Sequence, residues 1–439
     1  QGEAFDTAPA NIESRLERGK LANGMKLALL PKKTRGGVVV AYVNLHYGDE
    51  KSLFGKAATA QLAGAMLMRG TKSKSRQQIQ DEMDKLKAQI NVSGGVSGAQ
   101  ASIQTTEANL LAALRLAAEI LREPSFPDNE FETVRGQRLA GIESMKSEPQ
   151  MLAQIALQRH MSDYPRGDVR HVGPADEQIE DLKKPTLDDA RNFYKEFYGA
   201  SNSEFVVSGQ FDPAAIKKLA AELFGDWKSP KPFAEVMEPY RKAAPANQNI
   251  ETPDKKNAMY LAALKVKMTD DDPDYAASMF GAYMLGGSPA SRAWKRIRDK
   301  EGYSYGVGTQ LAAPTKDDST LFVMYAICNP QNTPKVEASF KDELATTLKD
   351  GFTEEEFKAA KAAWLDSRKV ARSQDSMLVR TLASREFYQR TMKWDEQFEA
   401  KVMGLTLAQV NETFRKRIDP DGLAVFKAGD FKKAGVLQN

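Results

Sequence analysis

The sequence predicts an α+β fold made of two homologous α/β-sandwich domains, in which helices pack on mixed or antiparallel sheets. Three observations favour this fold. At 439 residues the chain is too long for a single hydrophobic core. Several motifs occur twice, in the same order and about 220 residues apart. Segments typical of strands alternate with segments typical of helices in both halves.

The repeated motifs indicate an internal duplication. In the most direct pair, FPDNEF at 126–131 recurs as FTEEEF at 352–357, and each copy opens a helical segment. A period this long is typical of two homologous domains and not of a solenoid built from short repeats. The other pairs are 64–71 with 281–288 and 186–211 with 406–431.

A proline-rich stretch between the halves sets the predicted domain boundaries. Residues 229–255 contain five prolines between Pro230 and Pro253 and show little periodicity, which is typical of a linker. The sequence therefore predicts an N-terminal domain over 1–228 and a C-terminal domain over 256–439.

Local patterns in the first half predict both kinds of element. Residues 27–30 and 37–45 are rich in β-branched and aliphatic residues and predict strands. Residues 91–106 predict two strands joined at a glycine turn. Residues 109–121 carry apolar side chains at helical spacing and predict an amphipathic helix.

In the second half, one corner between a helix and a strand carries candidate functional residues. Residues 291–298 predict a helix that ends before Gly302, and residues 303–308 predict the start of a strand. Arg298 and Tyr305 flank this corner, so their guanidinium and phenol groups can reach one side of a cleft.

Composition and charge exclude several function classes. Apolar residues make up 41% and charged residues 28% of the chain, which is ordinary for a globular protein. A net charge of +3 with interspersed acids and bases, and no basic stripe, argues against nucleic-acid binding. No run of 18 apolar residues occurs, so no membrane span is predicted.

The single cysteine and the first residue bear on the compartment. Cys328 has no partner for an intramolecular disulfide, and its place in the apolar run 321–328 predicts a buried structural thiol. The sequence begins at Gln1 and not at Met, which is compatible with removal of a leader. We therefore expect a periplasmic location, with the cytoplasm as the alternative.

Imidazole and thiol groups, which are typical of zinc sites and of catalytic dyads, are few in this chain. The three histidines are His46, His160 and His171, and none pairs with another at helical ligand spacing. Each is predicted to be an ordinary imidazole at the surface or the core edge. No Gly-x-Ser-x-Gly nucleophile motif occurs either.

Four segments resemble the pitrilysin/insulinase (inverzincin) family of zinc peptidases, to which the mitochondrial processing peptidase subunits are related. They are residues 21–27, 46–50, 54–71 and 286–305, and the resemblance covers nearly the whole chain. Within that family, the chain is similar above all to the non-zinc Arg/Tyr subunit of a bacterial heterodimeric member. The resemblance implies the fold of that family and a part in zinc-dependent peptide hydrolysis.

The His-x-x-Glu-His zinc motif of that family is degenerate in this chain. By the resemblance, its three positions fall at Gln61, Gly64 and Ala65, so both histidines and the glutamate base are absent. The distal glutamate ligand would fall near Glu143, which is out of register. The resemblance therefore implies that this chain binds no metal and is inactive alone, with Zn²⁺ held by a partner subunit.

Residues 286–305 match the Arg/Tyr signature of the family, whose Arg and Tyr lie seven residues apart. The resemblance implies that Arg298 binds the substrate backbone and that Tyr305 stabilises the oxyanion, completing the site of the partner. The alternative is that Arg298 forms a surface salt bridge and Tyr305 packs in the core. Arg292 is expected to cap its helix or contact a partner, and Tyr303 is expected to pack.

The hypothesis is a non-zinc subunit of a heterodimeric zinc metallopeptidase that acts on short or unfolded peptides. Its partner would be a homologous chain with the His-x-x-Glu-His motif. Two alternatives stay open: a catalytically silent scaffold, and a substrate-capturing subunit like the α chain of mitochondrial processing peptidases. That α chain carries a longer glycine-rich loop than residues 286–291.

Overall fold

The computed structural model describes residues 1–438 and contains two mixed β-sheets. The strands are β1 (Glu17–Lys20), β2 (Lys26–Pro31), β3 (Val38–His46), β4 (Gln89–Gly94), β5 (Gly98–Thr106), β6 (Ser203–Gly209), β7 (Ala246–Glu251), β8 (Ala258–Lys267), β9 (Gly306–Ala312), β10 (Ser319–Cys328) and β11 (Ala424–Gly429). The first sheet has the order β1-β2-β6-β3-β5-β4, and the second has the order β7-β11-β8-β10-β9. Only the pairs β2–β6 and β7–β11 are parallel among the described strands. The predicted α+β class with mixed sheets is confirmed.

Helices cover both faces of these sheets. They are α1 (Pro9–Arg15), α2 (Ala57–Ala65), α3 (Arg76–Lys85), α4 (Leu110–Arg122), α5 (Asp128–Met145), α6 (Pro149–Met161), α7 (Ala175–Lys183), α8 (Leu187–Phe197), α9 (Pro213–Phe224), α10 (Tyr275–Gly286), α11 (Thr333–Asp350), α12 (Glu354–Ser373), α13 (Asp375–Phe387), α14 (Met392–Met403), α15 (Leu407–Arg417) and α16 (Phe431–Ala434). None of the helices over residues 1–438 is both long and apolar enough to span a bilayer.

The repeated motifs correspond to equivalent helix starts. Thr186 begins α8 and Thr406 begins α15, and each forms a capping box with the residue three positions later. In a capping box the Thr hydroxyl accepts from a backbone N–H that the helix leaves unpaired, and the later side chain accepts from the Thr N–H. Thr353 forms a third box at the start of α12. The duplicated sequence therefore specifies the same local hydrogen bonds at α8 and α15, whereas Pro127, the counterpart of Thr353 at the start of α5, forms no side-chain cap.

Each sheet has a large hydrophobic core on one face and receives a helix from the other half of the chain on the opposite face. Leu382 of α13 packs against the first sheet in a cluster that includes Val206. Leu157 of α6 packs against the second sheet in a cluster that includes Phe426. The halves are therefore joined by a reciprocal exchange of helices. The division into domains at residues 1–228 and 256–439 stays a prediction.

Part of the predicted linker 229–255 is a strand. Residues 246–251 form β7, which pairs in parallel with β11 so that Ala246 lies opposite Ala424. The sequence ANQNIE lacks the apolar alternation of a buried strand because β7 is an edge strand whose side chains stay largely accessible. Residues 229–245 contain no helix or strand.

Candidate functional site

The predicted Arg/Tyr corner lies between α10 and the edge strand β9. Its helical part is a π-helix at Trp294–Lys300, where the sequence predicts an ordinary α-helix over 291–298. The Glu301 N–H donates to the Arg296 carbonyl at 2.8 Å, five residues back. Apolar spacing does not distinguish an α-turn from a π-turn, which explains the difference. Short π-helical turns are rare and occur frequently at functional sites.

Arg298 lies near the end of this π-helix with its side chain exposed. Its guanidinium lies over the Trp294 ring, 4.5 Å from the ring centroid. Its nearest carboxylate is that of Asp299, at 4.0 Å, which is the limit for an ion pair. Within residues 1–438 the guanidinium donates no hydrogen bond, so its five N–H donors remain free for a ligand.

Tyr305 directly precedes β9, and its side chain does not enter the core. The residue is 57% exposed. Its N–H donates to the Ile327 carbonyl at 2.9 Å, which fixes the backbone, and its hydroxyl donates to the side-chain oxygen of Asn329. The alternative expectation of a core-packed ring is therefore wrong. The phenol is held at the surface, on the same corner as Arg298.

The two other side chains that the sequence singled out in this segment have structural contacts. Arg292 forms a bidentate pair with Glu356, with both N–O distances at 2.7 Å, and lies 4.9 Å from the Phe352 ring centroid. These contacts tie the corner to α12, so Arg292 has little capacity left for a ligand. Tyr303 is partly buried against the core of the second half, as expected.

The positions predicted to correspond to the zinc motif lie on α2. Gln61 and Ala65 line an open cavity of about 570 Å³ between α2 and α5, together with Ile142. Gly64 instead packs against the end of β4: a Cβ placed there would lie 2.0 Å from the Gly94 carbonyl oxygen. Position 64 can therefore carry no side chain unless the backbone moves. Sequence reasoning missed this contact, because no pattern in the chain links the two glycines.

The donor set at this site does not fit a zinc ion. Gln61 offers one amide oxygen, and positions 64 and 65 offer no ligand atom. Glu143 is exposed, lies 3.4 Å from Lys146 Nζ and is not among the residues that line the cavity, although its neighbour Ile142 is. Residues 1–438 contain no group of three or more His, Cys, Asp or Glu side chains that could hold a metal ion.

The three histidines lie in different parts of the fold and contact different residues. His46 Nε2 lies 2.8 Å from a Glu204 carboxylate oxygen on the first sheet. His160 Nε2 contacts the carbonyl oxygen of Ala244 at 2.6 Å. His171 contacts Glu177 at 2.6 Å. Each imidazole thus has its own protein partner, and the three do not form a cluster.

Cys328 is predicted to stay unreactive while the chain is folded. It lies at the end of β10 with no exposed surface, and burial raises the pKa of its thiol to about 11. The thiol is therefore protonated near neutral pH, and the thiolate is the reactive form. An aromatic disulfide reagent should label Cys328 in denaturant but not in native buffer. Rapid labelling of the native chain would contradict this assignment.

The chain is similar in sequence to M16 peptidases and to their inactive relatives. Residues 184–363 match the sequence model of the peptidase M16 inactive domain. The chain is 20% identical over 396 residues to the non-peptidase homolog YmxG of Helicobacter pylori, covering 90% of each chain. It is 24% identical over 229 residues to the zinc protease PqqE of the same organism, covering 51% of this chain and 49% of PqqE.

Solved structures show the same fold. A peptidase M16 inactive domain from Pseudomonas fluorescens superposes with a TM-score of 0.82 at 23% identity, covering 94% of this chain and 97% of the other. A protease from Helicobacter pylori superposes with a TM-score of 0.80 at 16% identity, covering 94% and 99%. At these identities the likeness establishes the arrangement of helices and strands.

Proposed function

We propose that this chain, which resembles the M16 inactive domain in sequence and in fold, is the non-zinc subunit of a heterodimeric zinc metallopeptidase. One observation carries the proposal. A chain whose α2 cannot hold zinc nevertheless presents Arg298 and Tyr305 at the surface of one corner, with the guanidinium free of protein hydrogen bonds. Exposed groups with so few protein contacts are suited to a ligand and contribute little to the stability of the fold.

Each of the two residues has a distinct role in the proposed reaction. The Arg298 guanidinium is a planar fork of donors that fits peptide carbonyl oxygens and holds the substrate backbone in position. The Tyr305 hydroxyl turns from Asn329 to the substrate and donates to the oxyanion that develops during hydrolysis. The zinc of the partner would polarise the scissile carbonyl and activate the attacking water.

Strand β9 supports short or unfolded peptides as the substrate class. It begins at Gly306, directly after Tyr305, and it is an edge strand of the second sheet. An extended peptide can pair with an edge strand through main-chain hydrogen bonds, which are largely independent of side-chain identity. Cleavage would then be only loosely sequence-specific. A periplasmic location is part of the proposal, and cell fractionation tests it.

A mixing experiment tests the shared active site. Cleavage of a quenched fluorescent peptide is measured with this chain alone, with a His-x-x-Glu-His partner chain alone, and with both, in the presence and absence of a chelator. We expect chelator-sensitive cleavage only in the mixture, because neither chain alone holds both the zinc and the Arg/Tyr pair.

The other outcomes decide against the proposal. Cleavage by this chain alone would require a catalytic group that the proposal does not contain. Cleavage by the partner alone, unchanged on mixing, would make this chain a silent scaffold. Peptide binding by this chain without any gain in cleavage on mixing would favour the substrate-capturing alternative.

A further inference from the structure

A second cavity lies on the face of the first sheet that α13 crosses. It has a volume of about 440 Å³. One wall is β3, with Tyr42 and His46, and the opposite wall is α13, with Arg380 and Phe387. The connecting segment contributes Glu235 to the lining. None of its lining residues belongs to the Arg/Tyr corner or to the degenerate zinc-motif positions.

One end of this cavity carries a cation without a carboxylate partner. The Arg380 side chain is exposed, and its guanidinium lies 4.8 Å from the Tyr42 ring centroid. Its one hydrogen bond within the described residues goes to the Ser102 hydroxyl, at 3.1 Å. No Asp or Glu oxygen lies within 4.0 Å of this guanidinium in residues 1–438. Arg380 can therefore form a bidentate pair with a carboxylate from outside.

The other end is acidic and aromatic. One Glu235 oxygen accepts a hydrogen bond from the Tyr388 hydroxyl at 3.0 Å, and the other is buried without a partner. Burial and the adjacent Glu235 carboxylate raise the pKa of Tyr388 to about 12, so this phenol stays protonated and donates. The unpartnered oxygen has almost no accessible surface, so its uncompensated charge favours a cation nearby in the cavity and not a direct contact.

Aromatic rings and a second carboxylate reinforce this end. The His46 ring stacks on Phe387 with a centroid distance of 4.1 Å, and Phe233 lies 5.5 Å from it. The Glu204 carboxylate, which is almost fully buried, pairs with His46. Aromatic faces and carboxylates together attract organic ammonium groups. The two ends thus favour opposite charges in a ligand.

The backbone spacing along the two walls indicates the size of that ligand. Arg380 and Tyr388 are eight residues apart along α13 and its C-cap, which corresponds to about 12 Å of helix. Tyr42 and His46 span about 13 Å along the facing strand. An extended tripeptide spans about 10 Å between its termini, whereas the two charges of a free amino acid lie much closer together.

We propose that this cavity binds short zwitterionic peptides of about three residues, with the peptide carboxylate on Arg380 and the peptide ammonium at Glu235. The site requires no partner subunit, and it does not depend on the proposed role of Arg298 and Tyr305. Its ligand class is set by the two charged ends, and the aromatic walls tolerate different side chains.

Calorimetric titration of the full chain with tri-L-alanine tests this site. Matched peptides are the N-acetylated form, which lacks the ammonium, and the C-terminal amide, which lacks the carboxylate. We expect binding of tri-L-alanine at millimolar or lower concentration. We expect about tenfold weaker binding of each modified peptide, because each loses one charge-assisted contact.

Variants assign each contact to a residue. Arg380→Gln should abolish the preference for the free acid over the amide, and Glu235→Gln should abolish the preference for the free amine over the acetylated form. Arg115→Gln removes a comparably exposed arginine on α4 and should change neither preference. Thermal unfolding of each variant verifies that it is folded. No binding of tri-L-alanine, or unchanged preferences in folded Arg380→Gln and Glu235→Gln, would overturn the proposal.

Discussion

Tyr305→Phe is expected to lower the kcat of the assembled peptidase about a hundredfold while leaving KM nearly unchanged. The substitution removes only the hydroxyl, which is proposed to donate to the oxyanion. An interaction made only in the transition state appears in kcat and not in substrate binding. Because the residue is 57% exposed, the ring contributes little to the core and the fold should be unaffected.

Arg298→Ala is expected to act mainly through KM, and more weakly through kcat. Its guanidinium would bind the peptide backbone in both the ground state and the transition state, so its loss weakens both complexes. The different kinetic signatures of the two variants separate a direct chemical role from general damage to the corner.

Matched controls exist on the same chain. Tyr240→Phe removes the hydroxyl of a partly exposed tyrosine in the connecting segment, and Arg115→Ala removes an arginine on α4 that is 53% exposed. Both should leave kcat and KM unchanged in the mixture with the zinc-bearing partner. Full activity of Tyr305→Phe in a folded, assembled complex would show that the phenol takes no part in the reaction, and the chain would then be a scaffold.

Local patterns predicted much of this fold, because their causes are local. The predicted strands over 27–30 and 37–45 match β2 and β3 to within one residue at each end, as their β-branched and aliphatic composition indicates. The predicted helix over 109–121 matches α4 to within one residue at each end. The corner with Arg298 and Tyr305 also lies between a helical turn and a strand, since Gly302 and the apolar alternation beyond it are local signals.

Long-range features could not be read from the sequence. The exchange of α6 and α13 depends on packing between residues such as Leu157 and Phe426, which are far apart in the chain. Strand β7 forms because β11 offers it an edge, and its own polar sequence gives no strand signal. The family resemblance predicts the degenerate motif positions, which are Gln61, Gly64 and Ala65. It does not predict that two of them face the cavity while Gly64 faces β4.

The close packing at Gly64 predicts that placing the His-x-x-Glu-His motif on α2 destabilises this chain. The triple variant Gln61→His, Gly64→Glu, Ala65→His is expected to lose about 3 kcal/mol or more of unfolding free energy, and the cause lies at position 64. A Cβ there would lie 2.0 Å from the Gly94 oxygen and 2.3 Å from its carbonyl carbon.

Relaxation of the backbone offers little relief, because the crossing of α2 and β4 is filled on its other side. A Cβ on Gly94 would in turn lie 1.9 Å from the Tyr198 hydroxyl oxygen. Tyr198 is buried, and its ring lies 5.0 Å from the Tyr47 ring and 4.5 Å from the Tyr194 ring. Strand and helix can separate only by displacing this aromatic cluster, and close-packed interiors resist such displacement.

Two controls isolate the effect of position 64. The double variant Gln61→His, Ala65→His changes only residues that line the open cavity, so it should retain nearly the stability of the parent chain. Gly141→Ala replaces a glycine in the interior of α5, where an added Cβ meets no atom within 4 Å. It should raise the unfolding free energy by up to about 1 kcal/mol.

Denaturant unfolding and zinc titration are measured for the parent chain, the triple variant, the double variant and Gly141→Ala. They show whether position 64 limits stability. We expect the double variant to fold and to bind Zn²⁺ only weakly, because two histidines leave the tetrahedral site half filled. We expect the triple variant to unfold at much lower denaturant concentration than the double variant. A triple variant as stable as the parent would show that the backbone at Gly64 and Gly94 can open. The expected lack of zinc binding would then rest on the missing ligands alone, whereas a destabilised triple variant would show that the contact between the two glycines also opposes the motif.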